Sequence, residues 1–159
     1  MDISFKEEQR LTPKWLRIIL VAIAMLPVYG IYKQIFNKEP IGENPMSDGG
    51  LILFSIFMFC FIALFWFISL KTEMDKTGIR MIFFPFSKKR VSWEQIKSAE
   101  IVNYGFVGGW GIRFTAKYGT VYNTWGKMGL AIELKNGRKF LIGTQKVDEL
   151  SEFLKSKTV

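Results

Sequence analysis

The chain has 159 residues, of which 49% are hydrophobic, and its formal net charge is +8. It contains no histidine and a single cysteine, Cys60. This composition excludes a disulfide framework, the common zinc sites and the usual serine or cysteine catalytic triads, so we expect no catalytic residue, no metal, no cofactor and no enzyme activity.

The chain opens with a polar segment, residues 1–14, followed by the apolar run LRIILVAIAMLPVYGIY from Leu16 to Tyr32. This run predicts a membrane-spanning helix at about 15–35. Membrane helices tolerate an internal proline better than soluble helices do, and an arginine at the end of the run can extend its charged group towards the lipid headgroups. A cleaved signal peptide has the same general form, but no small-residue cleavage site follows the run.

A second apolar run extends from Leu51 to Leu70 and contains no charged residue. About 20 apolar helical residues cross the hydrocarbon core of a bilayer, so this run predicts a span at about 51–70. A buried core helix is rarely this long and apolar on every face. Together the two runs predict a transmembrane hairpin over residues 15–70, and four residues at its ends are predicted to lie at the membrane interface: Trp15, Arg17, Tyr32 and Lys71.

The basic residues that flank the two runs predict the orientation of the hairpin. Four precede or begin the first run, two lie in the connecting loop and six closely follow the second run. Cytoplasmic flanks are enriched in lysine and arginine, so we predict an inner (cytoplasmic) membrane protein with both termini, including segment 1–14, in the cytoplasm.

Residues 71–159 show the short apolar segments and turn signals of a β-rich cytoplasmic domain. A strand at Leu70–Met74 is predicted to pair with the segment IRMIFFPF at Ile79–Phe86. Ser87–Arg90 is predicted to form a basic turn, and further strands are predicted at 91–93, 98–104, 112–116 and 120–123. This spacing favours a small antiparallel barrel or sandwich.

The segment NYGFVGGWGIRF, residues 103–114, carries four glycines followed by Arg113. It matches neither a phosphate-binding Walker loop nor a dinucleotide-binding turn. We interpret the glycines as permitting a tight connection between strands. The alternative is a ligand loop in which backbone N–H groups and Arg113 hold an anion.

The segment GLAIELKNGRKFLIG predicts a β-hairpin that turns at Asn136-Gly137. A two-residue turn would place Leu141 on the apolar face of the first strand, whereas a three-residue loop would place Phe140 and Ile142 there. Burying two large side chains stabilises more than burying one, so the three-residue loop is favoured. An amphipathic helix over Lys146–Ser156 completes the chain.

Several of these motifs, in this order, carry a family resemblance: TGIRMIFFPF, GGWGIR, YNTWG and GLAIELKNGRKFLIGTQK. After two apolar spans they resemble the bacterial membrane proteins that have a C-terminal pleckstrin-homology-like (PH-like) domain. The resemblance covers about residues 70–154. It implies an α+β, mainly β fold, in which a bent antiparallel barrel of about seven strands is capped by the C-terminal helix. It implies no particular ligand, since the first hairpin loop offers only Asp75-Lys76-Thr77-Gly78 where phosphoinositide binders of this fold carry a basic signature.

The net positive charge lies entirely in residues 71–159, because residues 1–70 contain six basic and six acidic residues. A basic domain tethered to the membrane is attracted to anionic lipids. The candidate contacts with anionic lipid or a partner are Lys88, Lys89, Arg90 and Arg113. For the basic run 88–90, a solvated turn is the alternative.

These features predict a membrane-anchored binding or assembly module that recognises protein or anionic lipid at the cytoplasmic surface. The alternative is a structural subunit of a larger membrane complex, with a membrane-protein partner or a second copy of the chain. In that case Gly30, Ser55, Ala63 and Ser69 mark contact faces. Nucleic-acid binding through stacking on Trp93, Trp110 and Trp125 is the least favoured prediction, because tryptophans in a small domain usually pack in the core.

Overall fold

The computed structural model describes residues 4–157, which divide into two compact units. One unit comprises Thr12–Phe67 and is helical. The other combines the described residues up to Leu11 with those from Ile68 onward, and it is built mainly of strands.

The helical unit contains α1 (Lys14–Ile31), a π-helical turn (Tyr32–Phe36) and α2 (Asp48–Phe67). Both helices are long and apolar enough to cross a membrane, α1 with its π-helical turn having 23 residues and α2 having 20. Only 17% and 11% of their apolar windows are buried, which argues against core helices of a soluble protein.

Helix α2 begins and ends three residues earlier than the predicted 51–70. Its last predicted residues are not helical, because Ser69 and Leu70 pair with an N-terminal strand. Within the helical unit, a Cβ atom at Gly30 would lie 3.4 Å from Leu51 Cδ1, and the buried Ser55 hydroxyl donates a 2.7 Å hydrogen bond to the Leu51 carbonyl. Gly30 and Ser55 therefore have contacts inside this unit, whereas Ser69 belongs to the other unit.

The β-rich unit contains nine strands in two sheets and a C-terminal helix, α3 (Val147–Lys157). The first sheet has the order β1-β2-β3-β4 and consists of β1 (Phe5–Arg10), β2 (Ser69–Met74), β3 (Gly78–Phe84) and β4 (Ser87–Ser92). The second sheet has the order β5-β8-β9-β7-β6 and consists of β5 (Ile96–Asn103), β6 (Gly111–Thr115), β7 (Gly119–Asn123), β8 (Met128–Leu134) and β9 (Lys139–Gly143).

The predicted mainly β fold with a C-terminal helix is confirmed, but the two sheets do not close into the implied antiparallel barrel of about seven strands. Among the described residues no ladder joins the two sheets, and β7 pairs with β9 in parallel. A 3-10 turn at Trp93–Gln95 separates β4 from β5, and Ser92 and Gln95 form a capping box around it. This turn ends the first sheet, and β5 pairs with β8 instead of extending it.

Strand β1 lies in segment 1–14, where no strand is predicted from the sequence. Its sequence FKEEQR pairs along its whole length with β2, from Phe5 opposite Met74 to Arg10 opposite Ser69. Alternate residues are buried, but two of these are Glu7 and Gln9, so the apolar alternation that marks a strand in a sequence is missing.

The predicted hairpin register is confirmed. Leu130 lies opposite Ile142, and Ile132 lies opposite Phe140, all four being almost fully buried. The Leu134 amide donates a 2.9 Å hydrogen bond to the Arg138 carbonyl, which encloses a three-residue loop. Helix α3 is confirmed within one residue at each end.

Candidate functional site: a basic groove

The basic run at residues 88–90 lies on a strand, so its predicted assignment to a turn is wrong. The turn lies two residues earlier, at Pro85-Phe86, and is closed by a 2.8 Å hydrogen bond from the Phe86 amide to the Phe83 carbonyl. Successive side chains of a strand point to opposite faces. Lys88 and Arg90 therefore share one face of β4, and Lys89 lies on the other.

Lys89 points towards aromatic side chains of the second sheet. Its Nζ atom lies 4.9 Å from the ring centroid of Phe140 and 5.6 Å from that of Tyr122. Both rings are buried, so the ammonium group makes cation–π contacts at the border between the core and the surface.

The three basic residues of β4 lie along a groove of about 1000 Å³. Its other walls come from the end of β6, the start of β7 and the β8–β9 loop, all within the β-rich unit. One acidic residue, Glu94, lines the groove together with six basic residues: Lys88, Lys89, Arg90, Lys135, Arg138 and Lys139. Phe114, which is 83% exposed, provides an apolar patch on the wall.

A carboxylate outside the groove offsets part of the positive charge of the groove. Glu133 forms ion pairs with Lys97 at 2.6 Å and with Lys139 at 3.4 Å. The hydrogen bond from Lys97 is the largest effect and lowers the pKa of Glu133. Desolvation opposes it, and Lys139 lowers the pKa further. Lys139 is therefore partly neutralised, whereas Lys135 and Arg138 extend from the loop.

Arg113 does not join the other predicted contacts. It precedes Phe114 on β6, and neighbouring side chains on a strand point to opposite faces. Its guanidinium lies against the glycine-rich loop, since a Cβ atom at Gly109 would be 3.0 Å from Arg113 Nη2. The structure thus brings together Lys88, Lys89 and Arg90 of the four predicted contacts and leaves Arg113 outside the groove.

The glycine-rich loop has a backbone path that other residues rarely adopt. Its four glycines, Gly105, Gly108, Gly109 and Gly111, have φ angles of 65°, 83°, 120° and 102°. Such values are readily available only to glycine. The conformation supports the interpretation of these glycines as a requirement of the strand connection.

The β2–β3 loop has backbone amides that could bind an anion, but a carboxylate of the same loop already accepts their hydrogen bonds. One carboxylate oxygen of Asp75 accepts hydrogen bonds from the Thr77 amide at 2.7 Å, the Thr77 hydroxyl at 2.6 Å and the Gly78 amide at 3.2 Å. The hydrogen bond from the Thr77 hydroxyl is the main reason that the pKa of Asp75 is lowered. These loop amides are consequently occupied by an internal anion.

The KNGRK segment, residues 135–139, contributes to the groove although only a hairpin turn was predicted there. Three of its five residues are basic. The density of lysine and arginine was the available signal. Their position beside β4 depends on long-range pairing that no local pattern encodes.

The predicted interface residues occupy two kinds of position. Trp15 lies in the first turn of α1 and Tyr32 directly follows its last residue, and both side chains are more than half exposed. Arg17 donates a 3.0 Å hydrogen bond from Nε to the Thr12 carbonyl. Lys71 lies on β2 and pairs with Glu8 at 3.2 Å.

No protein-family model matches the chain, and neither the curated proteins nor the solved structures include a significant match. The resemblance to PH-like domains therefore remains a hypothesis. Within residues 4–157, no group of three or more histidine, cysteine, aspartate or glutamate side chains is arranged to hold a metal ion.

Proposed function

We propose that this chain is a membrane-anchored, PH-like module that binds the phosphate-bearing headgroups of anionic lipids in its basic groove at the cytoplasmic surface. The observation that carries the proposal is that six basic residues from β4, β9 and the β8–β9 loop line one groove together with a single acidic residue.

The pairing of β1 with β2 supports membrane anchoring on one side. Arg10 lies opposite Ser69, and the Leu11 amide donates a 3.2 Å hydrogen bond to the Ile68 carbonyl. The chain therefore leaves this domain for α1 and returns from α2 at neighbouring points. Two spans connected in this way form a hairpin, and the basic flanks favour the cytoplasmic side for the domain.

The chemistry of the groove suits a phosphate group. Arginine offers a planar fork of N–H donors that matches phosphate oxygens, and lysine adds a compact positive charge. Each favourably placed lysine or arginine near an anionic membrane surface contributes about 1 kcal/mol of attraction. An acidic protein segment would meet the same charges, but a tethered domain always has lipid within reach.

The proposal is tested with the full chain in uncharged detergent micelles. Short-chain phosphatidylglycerol, phosphatidylcholine and inorganic phosphate are titrated separately, and tryptophan fluorescence reports binding. We expect phosphatidylglycerol to bind more tightly than the other two, with an affinity that falls as salt rises. Equal affinity for phosphatidylcholine would overturn headgroup recognition, and equal affinity for inorganic phosphate would show a site for free phosphate.

A charge-matched pair of variants locates the site. Arg90→Gln with Arg138→Gln removes two charges from the groove, and we expect the Kd for phosphatidylglycerol to rise by about tenfold or more, at about 1 kcal/mol for each charge. Lys127→Gln with Lys155→Gln removes two exposed charges that do not line the groove. Equal weakening by both pairs would mean that net charge alone attracts the lipid.

A further inference from the structure

The β3–β4 turn, Phe84-Pro85-Phe86, carries two exposed aromatic side chains at one particular end of the first sheet. Phe84 is 47% exposed and Phe86 is 58% exposed. Isolated exposed aromatics are common, but here two flank a single proline in a tight turn. The register of the strands shows which other parts of the chain lie close to these two side chains.

The register places this turn beside the points where the chain enters and leaves the helical unit. Arg10 lies opposite Ser69, and Ser69 lies opposite Phe84, so the three residues form one row across β1, β2 and β3. Helix α2 ends at Phe67, two residues before Ser69. The turn is thus at the end of the sheet from which both helices depart.

The covalent chain limits how far the turn can lie from the end of α2. Two residues span at most about 7 Å, and opposite residues of neighbouring strands have Cα atoms about 4.5 to 5.5 Å apart. The Cα atom of Phe84 therefore lies within about 13 Å of that of Phe67. The polar interfacial layer on each side of a bilayer is about 5 to 7 Å thick, and the ring extends several ångströms beyond its Cα atom.

The turn is also held in shape from within the domain. The Phe86 ring lies 6.4 Å from the ring of the buried Phe83, and the Phe86 amide is hydrogen-bonded to the Phe83 carbonyl. Exposed basic residues flank the aromatic pair, Arg10 in the row of Phe84 and Lys88 two residues after Phe86. Aromatic side chains bordered by cationic ones are typical of the membrane–water interface.

We propose that Phe84-Pro85-Phe86 is a lipid-interface anchor that inserts its two aromatic rings at the headgroup boundary next to the end of α2. This anchor would hold the domain at a defined height and place Lys88, the first basic residue of the groove, close to the headgroups. The inference depends on the membrane anchoring proposed above and is independent of ligand binding in the groove.

The test uses the full chain in proteoliposomes, with Cys60→Ser as the background so that a single engineered cysteine carries an environment-sensitive fluorophore. One variant is Phe86→Cys. Its control is Lys76→Cys, in the β2–β3 loop at the opposite end of the same strands. Near-ultraviolet circular dichroism confirms that both labelled proteins keep the native fold.

We expect the label at position 86 to emit at shorter wavelength, to be quenched by lipids that carry a nitroxide near the headgroup, and to resist quenching by aqueous iodide. The label at position 76 should show the reverse. Iodide quenching at both positions would overturn the inference. Protection from iodide at position 86 without quenching by lipid would also overturn it, because a protein partner would then cover the turn.

The two proposals fail separately in this design. A label at position 86 that stays in water, with lipid binding still lost in the Arg90 and Arg138 double variant, removes the anchor and keeps the groove. Insertion at position 86 that persists in the double variant, with no preference for phosphatidylglycerol, keeps the anchor and removes the groove.

Discussion

The Thr144 hydroxyl donates a 2.7 Å hydrogen bond to one carboxylate oxygen of Glu7, although the two residues are 137 positions apart in the chain. The other carboxylate oxygen accepts a 2.8 Å hydrogen bond from the Gln145 amide. Glu7 is only 6% exposed, so these bonds replace its contacts with water. A buried carboxylate with both oxygens bonded joins the N-terminal strand to the segment between β9 and α3.

Replacing Glu7 with alanine should destabilise the β-rich unit. The Thr144 hydroxyl and the Gln145 amide would lose their partner, and leaving buried polar groups unsatisfied costs about 1 to 3 kcal/mol. Thermal and denaturant unfolding of the full chain in detergent, followed by near-ultraviolet circular dichroism, measures the change. The matched control is Glu8→Ala on the same strand, where an exposed ion pair with Lys71 is lost and the cost should be below about 1 kcal/mol. Equal losses for the two variants would contradict the structural role of Glu7.

The β-rich unit should fold without the helical unit only when β1 is retained. The fragment 71–159 lacks β1 and the first two residues of β2, one of which is the fully buried Leu70. We expect this fragment to be aggregated or unfolded, since the core loses one wall and β2 loses its partner.

A connected version provides the matched test. Leu11 and Ile68 form the last hydrogen-bonded contact of the β1–β2 ladder, so a two-residue Asn-Gly turn between them should close a hairpin. The chain 4–11, Asn-Gly, 68–157 is expected to be soluble, monomeric and well dispersed in a ¹H–¹⁵N spectrum. An equally dispersed spectrum from fragment 71–159 would show that β1 is dispensable.

These contacts also explain which parts of the structure the sequence could predict. The apolar runs and the Asn136-Gly137 turn are local signals, and they correctly indicated two long apolar helices and one hairpin register. Strand β1 has no local signal, because Glu7 and Gln9 are buried only through partners near the other end of the chain. Three of the four predicted contacts reached one groove because they are consecutive on β4, whereas Lys135, Arg138 and Lys139 arrive there through the sheet topology.

Replacing Gly137 with alanine should destabilise the β8–β9 hairpin that supports half of the basic groove. Gly137 has a φ angle of 82°, and a residue with a Cβ atom pays about 1 to 2 kcal/mol in such a left-handed conformation. The decrease in unfolding free energy of the full chain measures this cost. Asn136→Ala is the neighbouring control, which loses only a hydrogen bond from the Arg138 amide to the Asn136 side chain at 3.1 Å and should cost less. A larger loss at Asn136 than at Gly137 would contradict the three-residue loop.

The Lys97–Glu133 pair should make a contribution to stability that disappears in acid. The folded-state pKa of Glu133 is lowered from its ordinary value of 4.5, mainly by the hydrogen bond from Lys97. A carboxyl group with a lowered pKa stabilises the fold above its unfolded-state pKa, and this contribution is lost as the pH falls through the folded-state pKa. A double-mutant cycle with Lys97→Met and Glu133→Gln isolates the coupling between the two side chains. We expect coupling at about pH 7 that decreases as the pH falls through the lowered folded-state pKa of Glu133, because the carboxyl group then binds a proton in both states. Coupling that persists unchanged in acid would show that the two side chains interact without the carboxylate charge, and would remove Glu133 as the group that restrains Lys139 beside the groove.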